Sequence, residues 1–332
     1  MRTAIFFVSI LFSGVVLADC DDVDLSVSVA SPRKVTATMN QGQSPYCFAF
    51  VASSLMSQKL GLKANDPISV LDVLSNHYAH LDGYYSTHSL QLEPNRIEQA
   101  KYTGVPFSRR SGGSTLNAIA FYNERRGACL ESQLHSMQSQ VFRDSDDFLL
   151  KRLQEIEGPG EEREIQWPKT KGARKSNLIE RASSGSMSAF YEGKWRGDAV
   201  KAVDAKIDRL CHPRIPAPRF TPHFLTVSGE TEIREAMEQV SKNLRQGRAT
   251  ELTIDTCVLH HEKCPGKDKG LHAMMIIGQR KRGSTCEYRI RNSWGTSCKT
   301  YVKALQKRCV YGDLWLPQNE VKAGMREIIW ID

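Results

Sequence analysis

The sequence predicts an α+β protein in which helices come first and an antiparallel sheet follows. Apolar residues recur at helical spacing in the N-terminal part, and short alternating apolar segments fill the C-terminal part. The composition, with 40% hydrophobic and 25% charged residues, is typical of an ordinary globular protein. At 332 residues, the chain is long enough to bury a sizeable core in two domains or one large one.

The first helix follows a turn-rich stretch over residues 41–46. Phe48, Val51 and Leu55 recur on one face and Gly61 supplies a stop, so the pattern predicts a buried helix that starts at Cys47. Further helices are predicted over residues 68–78, 115–126 with Gly127 as terminator, 148–156, 199–210 and 231–245. Strands are then predicted around Leu252 with Ile254, over residues 273–277, around Tyr288 with Ile290, and over residues 328–331. These strands predict an antiparallel sheet or barrel that follows the helices.

The chain begins with a pattern typical of an exported protein. Arg2 precedes an apolar run over residues 4–17, and the small Ala18 follows it, so residues 1–18 are interpreted as a signal peptide that is cleaved after Ala18. The run is shorter than the roughly 20 residues that a membrane-spanning helix needs. We therefore expect a secreted or periplasmic protein without stable membrane insertion.

The remaining chain divides into three segments. Residues 19–133 carry the predicted early helices, and residues 223–332 carry the predicted strands. Residues 134–222 are rich in charged residues of both signs, and we interpret them as an insertion that is either helical in patches or partly disordered.

The net charge of +8 and the pI near 9.0 raise the question of an anionic partner. Basic residues are mixed with acidic ones almost everywhere, and no stripe of basic and aromatic residues is present. A solvated surface is the better explanation, so no nucleic-acid partner is predicted. No pattern predicts a cofactor or an oligomeric state.

Nine cysteines fit an oxidising compartment. If Cys47 stays free, eight remain for four disulfides, and short spacing favours Cys257 with Cys264 and Cys298 with Cys309. The first of these pairs also flanks two histidines. An alternative is therefore a zinc site formed by Cys257, His260, His261 and Cys264, but the oxidising compartment favours the disulfide, and no metal is predicted.

Three residues have the chemical character of a catalytic group. A thiol becomes a good nucleophile only when it is deprotonated, and a helix N-terminus, where Cys47 is predicted, favours the thiolate. His272 opens an apolar strand, which would fix its ring. Asn292 lies in a neighbouring strand and can hold that ring through its far nitrogen.

Three short stretches contain these residues: Gln-Gly-Gln-Ser-Pro-Tyr-Cys-Phe-Ala-Phe at 41–50, Leu-His-Ala at 271–273, and Arg-Asn-Ser-Trp-Gly-Thr at 291–296. In this order they resemble the three catalytic segments of papain-family cysteine peptidases. The resemblance covers residues 35–130 and 225–332. It implies a papain-like two-lobed fold, with a helical left half, an antiparallel β-barrel-like right half and the cleft between them. It also implies hydrolysis of peptide bonds in a protein or peptide substrate.

The resemblance assigns roles to individual residues. Cys47 is then the nucleophile, His272 the base and later the acid, and Asn292 the residue that orients the imidazole. Gln41 completes the oxyanion hole together with the backbone N–H of Cys47. The last two assignments are Trp294, which shields the imidazole from water, and the pair Gly112 and Gly113, whose exposed backbone binds extended substrate.

The chain departs from the family pattern at several positions. Ser44, Pro45 and Tyr46 replace the usual Cys-Gly-Ser, and Phe48 replaces a tryptophan. Residues 110–111 are Arg-Ser where the partner of that missing cysteine is expected, so both ends of one family disulfide are absent together.

The spacing between the catalytic segments is also unusual. The predicted histidine follows the cysteine by 225 residues, whereas about 130–150 are usual, and the charged insertion accounts for the excess. Only residues 19–46 separate the expected cleavage site from the cysteine, so no inhibitory propeptide is expected there.

Two other functions remain open at this point. The altered turn before Cys47 would permit an inactive papain-like scaffold or binding protein. The same catalytic residues would also permit a thiol acyl-hydrolase that acts on non-protein peptides such as those of a cell wall.

Overall fold

The computed structural model describes residues 20–26, 36–41, 46–88, 113–125, 127–134, 204–205, 207–260 and 270–332. The predicted signal peptide, most of the predicted insertion and the predicted helix at 148–156 lie outside these ranges.

Three of the longer helices lie in the N-terminal half, and a fourth lies between the second and third strands of the sheet. They are α1 (Cys47–Leu60), α2 (Val70–His88), α3 (Thr115–Tyr122) and α4 (Glu230–Arg245). Short helices follow at α5 (Cys257–His260), α6 (Lys303–Gln306) and α7 (Gln318–Gly324), with a 3₁₀ turn at Cys298–Thr300.

Eight strands form one sheet: β1 (Val23–Asp24), β2 (Pro222–Thr226), β3 (Thr250–Asp255), β4 (Leu271–Arg282), β5 (Thr285–Arg291), β6 (Cys309–Val310), β7 (Asp313–Pro317) and β8 (Met325–Ile331). Their order across the sheet is β2-β8-β3-β4-β5-β7-β6, and β1 pairs with β4. Every pairing is antiparallel. The α+β prediction is therefore confirmed.

The sheet is an open path of strands and does not close into a full barrel within the described residues. The β-barrel-like half is thus a twisted antiparallel sheet, which is compatible with a two-lobed fold. All four predicted strands are present. Strands β1, β2, β6 and β7 were not predicted, because short strands carry too little alternation to be recognised in sequence.

Helix α1 lies at the centre of the molecule, and eleven of its fourteen residues are buried, from Phe48 to Gln58. A helix that is buried on nearly all sides belongs in a protein core. It packs against α2 and α3 on one side and against β4 on the other. Gly61 ends it in the left-handed conformation, at φ 69°, as predicted from the sequence.

The helices predicted at 68–78, 115–126 and 231–245 are present with shifted ends, and of the one predicted at 199–210 the described residues 204–205 and 207–210 are helical. Helix α2 extends past the predicted end at residue 78, and α3 is shorter than predicted. The side chain of Ser114 caps α3 by accepting from the N–H of Asn117, and Asn123 ends it. In α4, the predicted apolar stripe is buried through Met237, Val240 and Leu244.

The helical part holds the end of the predicted insertion through two long-range links. A disulfide joins Cys129 to Cys211. Arg214, three residues after Cys211, donates to both carboxylate oxygens of the fully buried Asp72, at 2.7 and 2.9 Å. Within residues 207–220, Ile207, Cys211 and Phe220 are buried and pack into the core.

Within the described part of the chain, no helix combines the length and apolar character that crossing a membrane requires.

Candidate active site

Cys47 occupies the first position of α1 and is the one free cysteine among the described residues. Its side chain is partly exposed. The backbone N–H of Ala273 lies close to the sulfur, as do the N–H groups of Cys47 and Phe48 at the start of the helix, and all three lower the pKa of the thiol. Because Ala273 directly follows His272 in β4, the sulfur lies beside the strand that carries the histidine.

His272 and Asn292 are brought together by the pairing of β4 with β5. Asn292 directly follows the end of β5, and its Oδ1 lies 2.7 Å from Nε2 of His272. A carboxamide oxygen only accepts, so Nε2 carries the proton and Nδ1 is the basic nitrogen of the imidazole. Both side chains are buried, with 4% and 1% exposure. The structure thus places a fixed histidine tautomer next to the strand edge that contacts the thiol.

Trp294 covers the histidine ring. The two ring centroids are 4.8 Å apart at an interplanar angle of 30°. The indole therefore screens one side of the His272 and Asn292 hydrogen bond from solvent. This position is compatible with the shielding role that the sequence suggests.

Gln41 lies next to the asparagine segment through both backbone and side chain. Its N–H donates to the carbonyl of Ser293 over 2.6 Å, and the Ser293 hydroxyl donates to its Oε1. A bridge between Asn40 and Trp294 continues this pairing. Since Oε1 is held by Ser293, the amide nitrogen of Gln41 is turned to the opposite side. Ser293 was not singled out in the sequence, although it lies inside the recognised motif.

Burial shifts the two reactive groups toward their neutral forms. It raises the pKa of the Cys47 thiol, and the backbone N–H groups near the sulfur oppose that rise. Burial lowers the pKa of His272 to about 4, and the hydrogen bond that His272 donates to Asn292 opposes that fall. Removing either group alone from water disfavours its charge. Both shifts favour the neutral thiol and the neutral imidazole.

Only one glycine of the predicted substrate-binding pair lies in the described chain, because Gly112 falls outside it. Gly113 is exposed. A Cβ at Gly113 would approach His77 Nε2 and the Phe48 ring to 2.6 Å, so only glycine fits there without a shift. This close packing explains the glycine independently of any substrate, and its binding role stays a prediction.

Glu251 is a buried acid near Cys47 that the sequence analysis did not identify. It lies on β3 with 1% exposure and accepts from the Thr253 hydroxyl over 3.0 Å. Burial, followed by the neighbouring Glu327, holds its pKa well above the usual range, and Cys47 also raises it. A charged residue at one strand position gives no signal in sequence that distinguishes this place from a solvated one.

The described cysteines support the disulfide interpretation. Disulfides join Cys298 to Cys309, as predicted, and Cys20 to Cys286. Cys257 is also disulfide-bonded, so its sulfur is not available to the zinc site that was considered as an alternative. Its predicted partner Cys264 lies outside the described residues.

No family model matches the chain, and no curated protein matches it. Among solved structures, it is similar to the proform of the Amb a 11 cysteine protease, a ragweed pollen allergen, with 11% identity and a TM-score of 0.44. That match covers 96% of this chain and 66% of the ragweed chain, which is just under two thirds.

Two further solved structures are similar to the chain. A structure from work on the mite allergens Blo t 1 and Der p 1 has 12% identity and a TM-score of 0.44, covering 96% of this chain and 73% of that one. The bromelain protease from Ananas comosus, in complex with the E64 inhibitor, has 13% identity and a TM-score of 0.41, covering 90% and 93%. In this chain itself, a buried helix begins with Cys47, β4 carries His272 and Asn292 directly follows β5, so the α+β arrangement that the papain-family resemblance implies is present.

Proposed function

We propose that the protein is a secreted papain-like cysteine peptidase that hydrolyses peptide bonds through Cys47, His272 and Asn292. The single observation that carries the proposal is the 2.7 Å hydrogen bond from His272 to Asn292, next to a strand residue whose N–H contacts the Cys47 sulfur. Such a bond fixes the tautomer that a general base requires.

The reaction begins from a thiol and a neutral imidazole. His272 takes the thiol proton as the sulfur attacks the substrate carbonyl, so a C–S bond forms and the carbonyl oxygen becomes negative. Separately, burial disfavours the thiolate and the imidazolium, but proton transfer creates the two charges together and their attraction offsets this penalty. The N–H groups at the start of α1 also favour the thiolate.

Collapse of the tetrahedral intermediate completes the first half of the reaction. The C–N bond breaks, and the leaving amine takes the proton from His272. Water then attacks the thioester with His272 as the base, which releases the carboxylic acid and restores the thiol. Gln41 and the Cys47 N–H are proposed to donate to the oxyanion at each tetrahedral stage.

The proposal of secretion rests on separate observations. Three disulfides between described cysteines fit an oxidising compartment. One of them ties Cys20, the second residue after the expected cleavage position, to Cys286 of the sheet. We expect mass spectrometry of the exported protein to identify Asp19 as its N-terminal residue.

The test of the peptidase activity is a digest of a peptide library together with labelling by an epoxysuccinyl thiol inhibitor. The inhibitor's epoxide is opened by the Cys47 sulfur, which forms a C–S bond as the C–O bond breaks. We expect cleavage of peptides and labelling at Cys47 in the wild type, and neither in Cys47→Ala.

The outcomes separate the alternative functions. Labelling at Cys47 with no peptide cleaved would replace the peptidase by a thiol enzyme acting on other acyl groups. A folded protein that is neither labelled nor active would contradict the enzymatic interpretation and favour a scaffold. The control for Cys47→Ala is Ser297→Ala, which should retain activity. Replacing a second cysteine, as in Cys298→Ser, is not a suitable control, because it breaks a disulfide.

A further inference from the structure

The amide nitrogen of Asn292 is a buried hydrogen-bond donor beside the imidazole. Because Oδ1 of Asn292 accepts from His272, the NH₂ group lies on the far side of the carboxamide. Asn292 is 1% exposed, so water does not reach that group. Within the described chain, Nδ2 has no hydrogen bond of ordinary geometry. A buried donor without a partner destabilises a protein, so a nearby acceptor is expected.

The hydroxyl of Tyr301 is the polar group next to this amide. Tyr301 is 3% exposed, and its side chain interacts with that of Asn292. The hydroxyl donates its own proton to the carbonyl of Gly312 over 2.9 Å. Because this proton is directed at Gly312, the lone pairs of the Tyr301 oxygen can accept a hydrogen bond from Asn292 Nδ2.

Packing fixes the tyrosine in this place independently of the hydroxyl. Its ring lies 5.6 Å from the indole of Trp294, which in turn covers His272. Gly312, the acceptor of the hydroxyl proton, has φ 84° and lies so close to the backbone of Gly295 that a Cβ would collide with its carbonyl oxygen. The acceptor is thus pressed against the segment that carries the asparagine.

A crosslinked segment holds Tyr301. It lies between the 3₁₀ turn at Cys298–Thr300 and helix α6, and the disulfide between Cys298 and Cys309 closes this segment over 11 residues. Closing a loop by a disulfide restricts its alternative conformations. The segment therefore presents the hydroxyl from a fixed frame.

We propose that Tyr301 is a positioning residue, whose hydroxyl accepts from Asn292 Nδ2 and so keeps Oδ1 directed at His272. The chain of contacts runs from the carbonyl of Gly312 through the hydroxyl and the carboxamide to the imidazole. The effect on catalysis rests on the proposed function, whereas the effect on the imidazole does not. Sequence reasoning missed Tyr301, because it lies seven residues after Trp294 in no recognised motif.

The test compares Tyr301→Phe with Tyr288→Phe. Tyr288 is a buried tyrosine on β5 whose hydroxyl interacts with Ser241 instead. Both variants lose one buried hydroxyl and keep the ring. We expect Tyr301→Phe alone to lower kcat by about 10- to 100-fold, since small displacements of catalytic groups have effects of this size.

A readout on the imidazole separates positioning from a merely structural role. In NMR of the wild type, the His272 Nε2 proton should exchange slowly, and Tyr301→Phe should speed its exchange and lower the pKa of His272 further, because the Asn292 bond raises that pKa. In a protein that already carries Asn292→Ala, Tyr301→Phe should have no further effect on the imidazole, since both substitutions act through one contact. Equal behaviour of Tyr301→Phe and Tyr288→Phe in the proton exchange would overturn the proposal.

Two further measurements cover the remaining outcomes. If Tyr301→Phe does not fold, the wild type decides: an Asn292 Nδ2 proton at low field supports the bond, and one at the position of a free carboxamide overturns it. If the wild type has no peptidase activity while the His272 exchange still depends on Tyr301, the positioning role stands and the proposed function fails.

Discussion

Arg214 and Asp72 form a buried, two-pronged ion pair, with Nη1 to Oδ2 at 2.7 Å and Nη2 to Oδ1 at 2.9 Å. The side chains are 6% and 0% exposed. The hydroxyl of Tyr122 donates to the same carboxylate over 2.6 Å. The pair fastens the chain that returns from the charged segment to helix α2, and its loss leaves a carboxylate buried without its main counter-charge.

We therefore expect Arg214→Met to lower the free energy of unfolding by about 3–5 kcal/mol, the range for removing one partner of a buried pair. Urea unfolding followed by circular dichroism measures it. Arg245→Met is the matched control, because Arg245 and Asp21 pair at the surface with about half of each side chain exposed. Its effect should stay below about 1 kcal/mol. Similar losses in both variants would refute the buried pair as a main anchor.

Gln41→Ala is expected to lower kcat by about 10²–10³, the usual effect of removing one oxyanion donor. Alkylation of Cys47 by iodoacetamide forms no oxyanion, so its rate should change little. Gln58→Ala is the control: Gln58 is a buried glutamine at the other end of α1, whose Oε1 accepts from the N–H of Ala249 over 2.8 Å. That variant should lose stability and keep kcat. An equal loss of alkylation and kcat in Gln41→Ala would argue against the oxyanion role.

The acid limb of kcat/KM should lie near pH 4, below the ordinary range of histidine. His272 must be neutral to accept the thiol proton, and burial lowers its pKa to about 4, so activity is lost only as the pH falls through that value. Trp294→Ala opens the ring to water, and the limb should then move up toward 6.5. Trp330→Ala is the control, since Trp330 stacks on His223 of the neighbouring strand instead. A limb that is unchanged in Trp294→Ala would contradict burial as the cause.

Glu327 should make stability fall as the pH rises. Burial raises its pKa from 4.5 to about 7, so between these values the folded protein binds a proton that the unfolded chain has lost. The stabilisation is complete below pH 4.5 and disappears as the pH rises through 7. His272 has the opposite slope, because its lowered pKa makes stability rise between about pH 4 and 6.5.

The unfolding free energy of Glu327→Gln, taken relative to that of the wild type, is therefore expected to rise by about 1–3 kcal/mol from pH 4.5 to pH 8. Thermal or urea unfolding at the two pH values measures the change. Glu238→Gln removes the same charge at an exposed position of α4 and should show no such difference. A Glu327→Gln protein whose stability follows the wild type at every pH would contradict the raised pKa.

Much of the fold could be predicted because its strongest elements are periodic. The helix from Cys47 to the left-handed Gly61, the apolar stripe of α4 and the alternation in β5 each leave a local pattern. The short strands β6 and β7 could not be predicted in this way. Each is only two to five residues long and exists because of its neighbour, as β7 pairs with β5.

The sequence by itself determined the residue types of the site and their order along the chain, because the motifs around Cys47, His272 and Asn292 are local. The disulfide between Cys298 and Cys309 was also accessible, since its loop is short.

Only the tertiary structure decided what surrounds these residues. The register of β3, β4 and β8 places Glu251 near Cys47 and Glu327 beside Glu251, and the fold of a crosslinked segment brings Tyr301 to Asn292. Contacts between residues far apart in the chain depend on how whole strands and helices pack, and no local period or spacing encodes that packing.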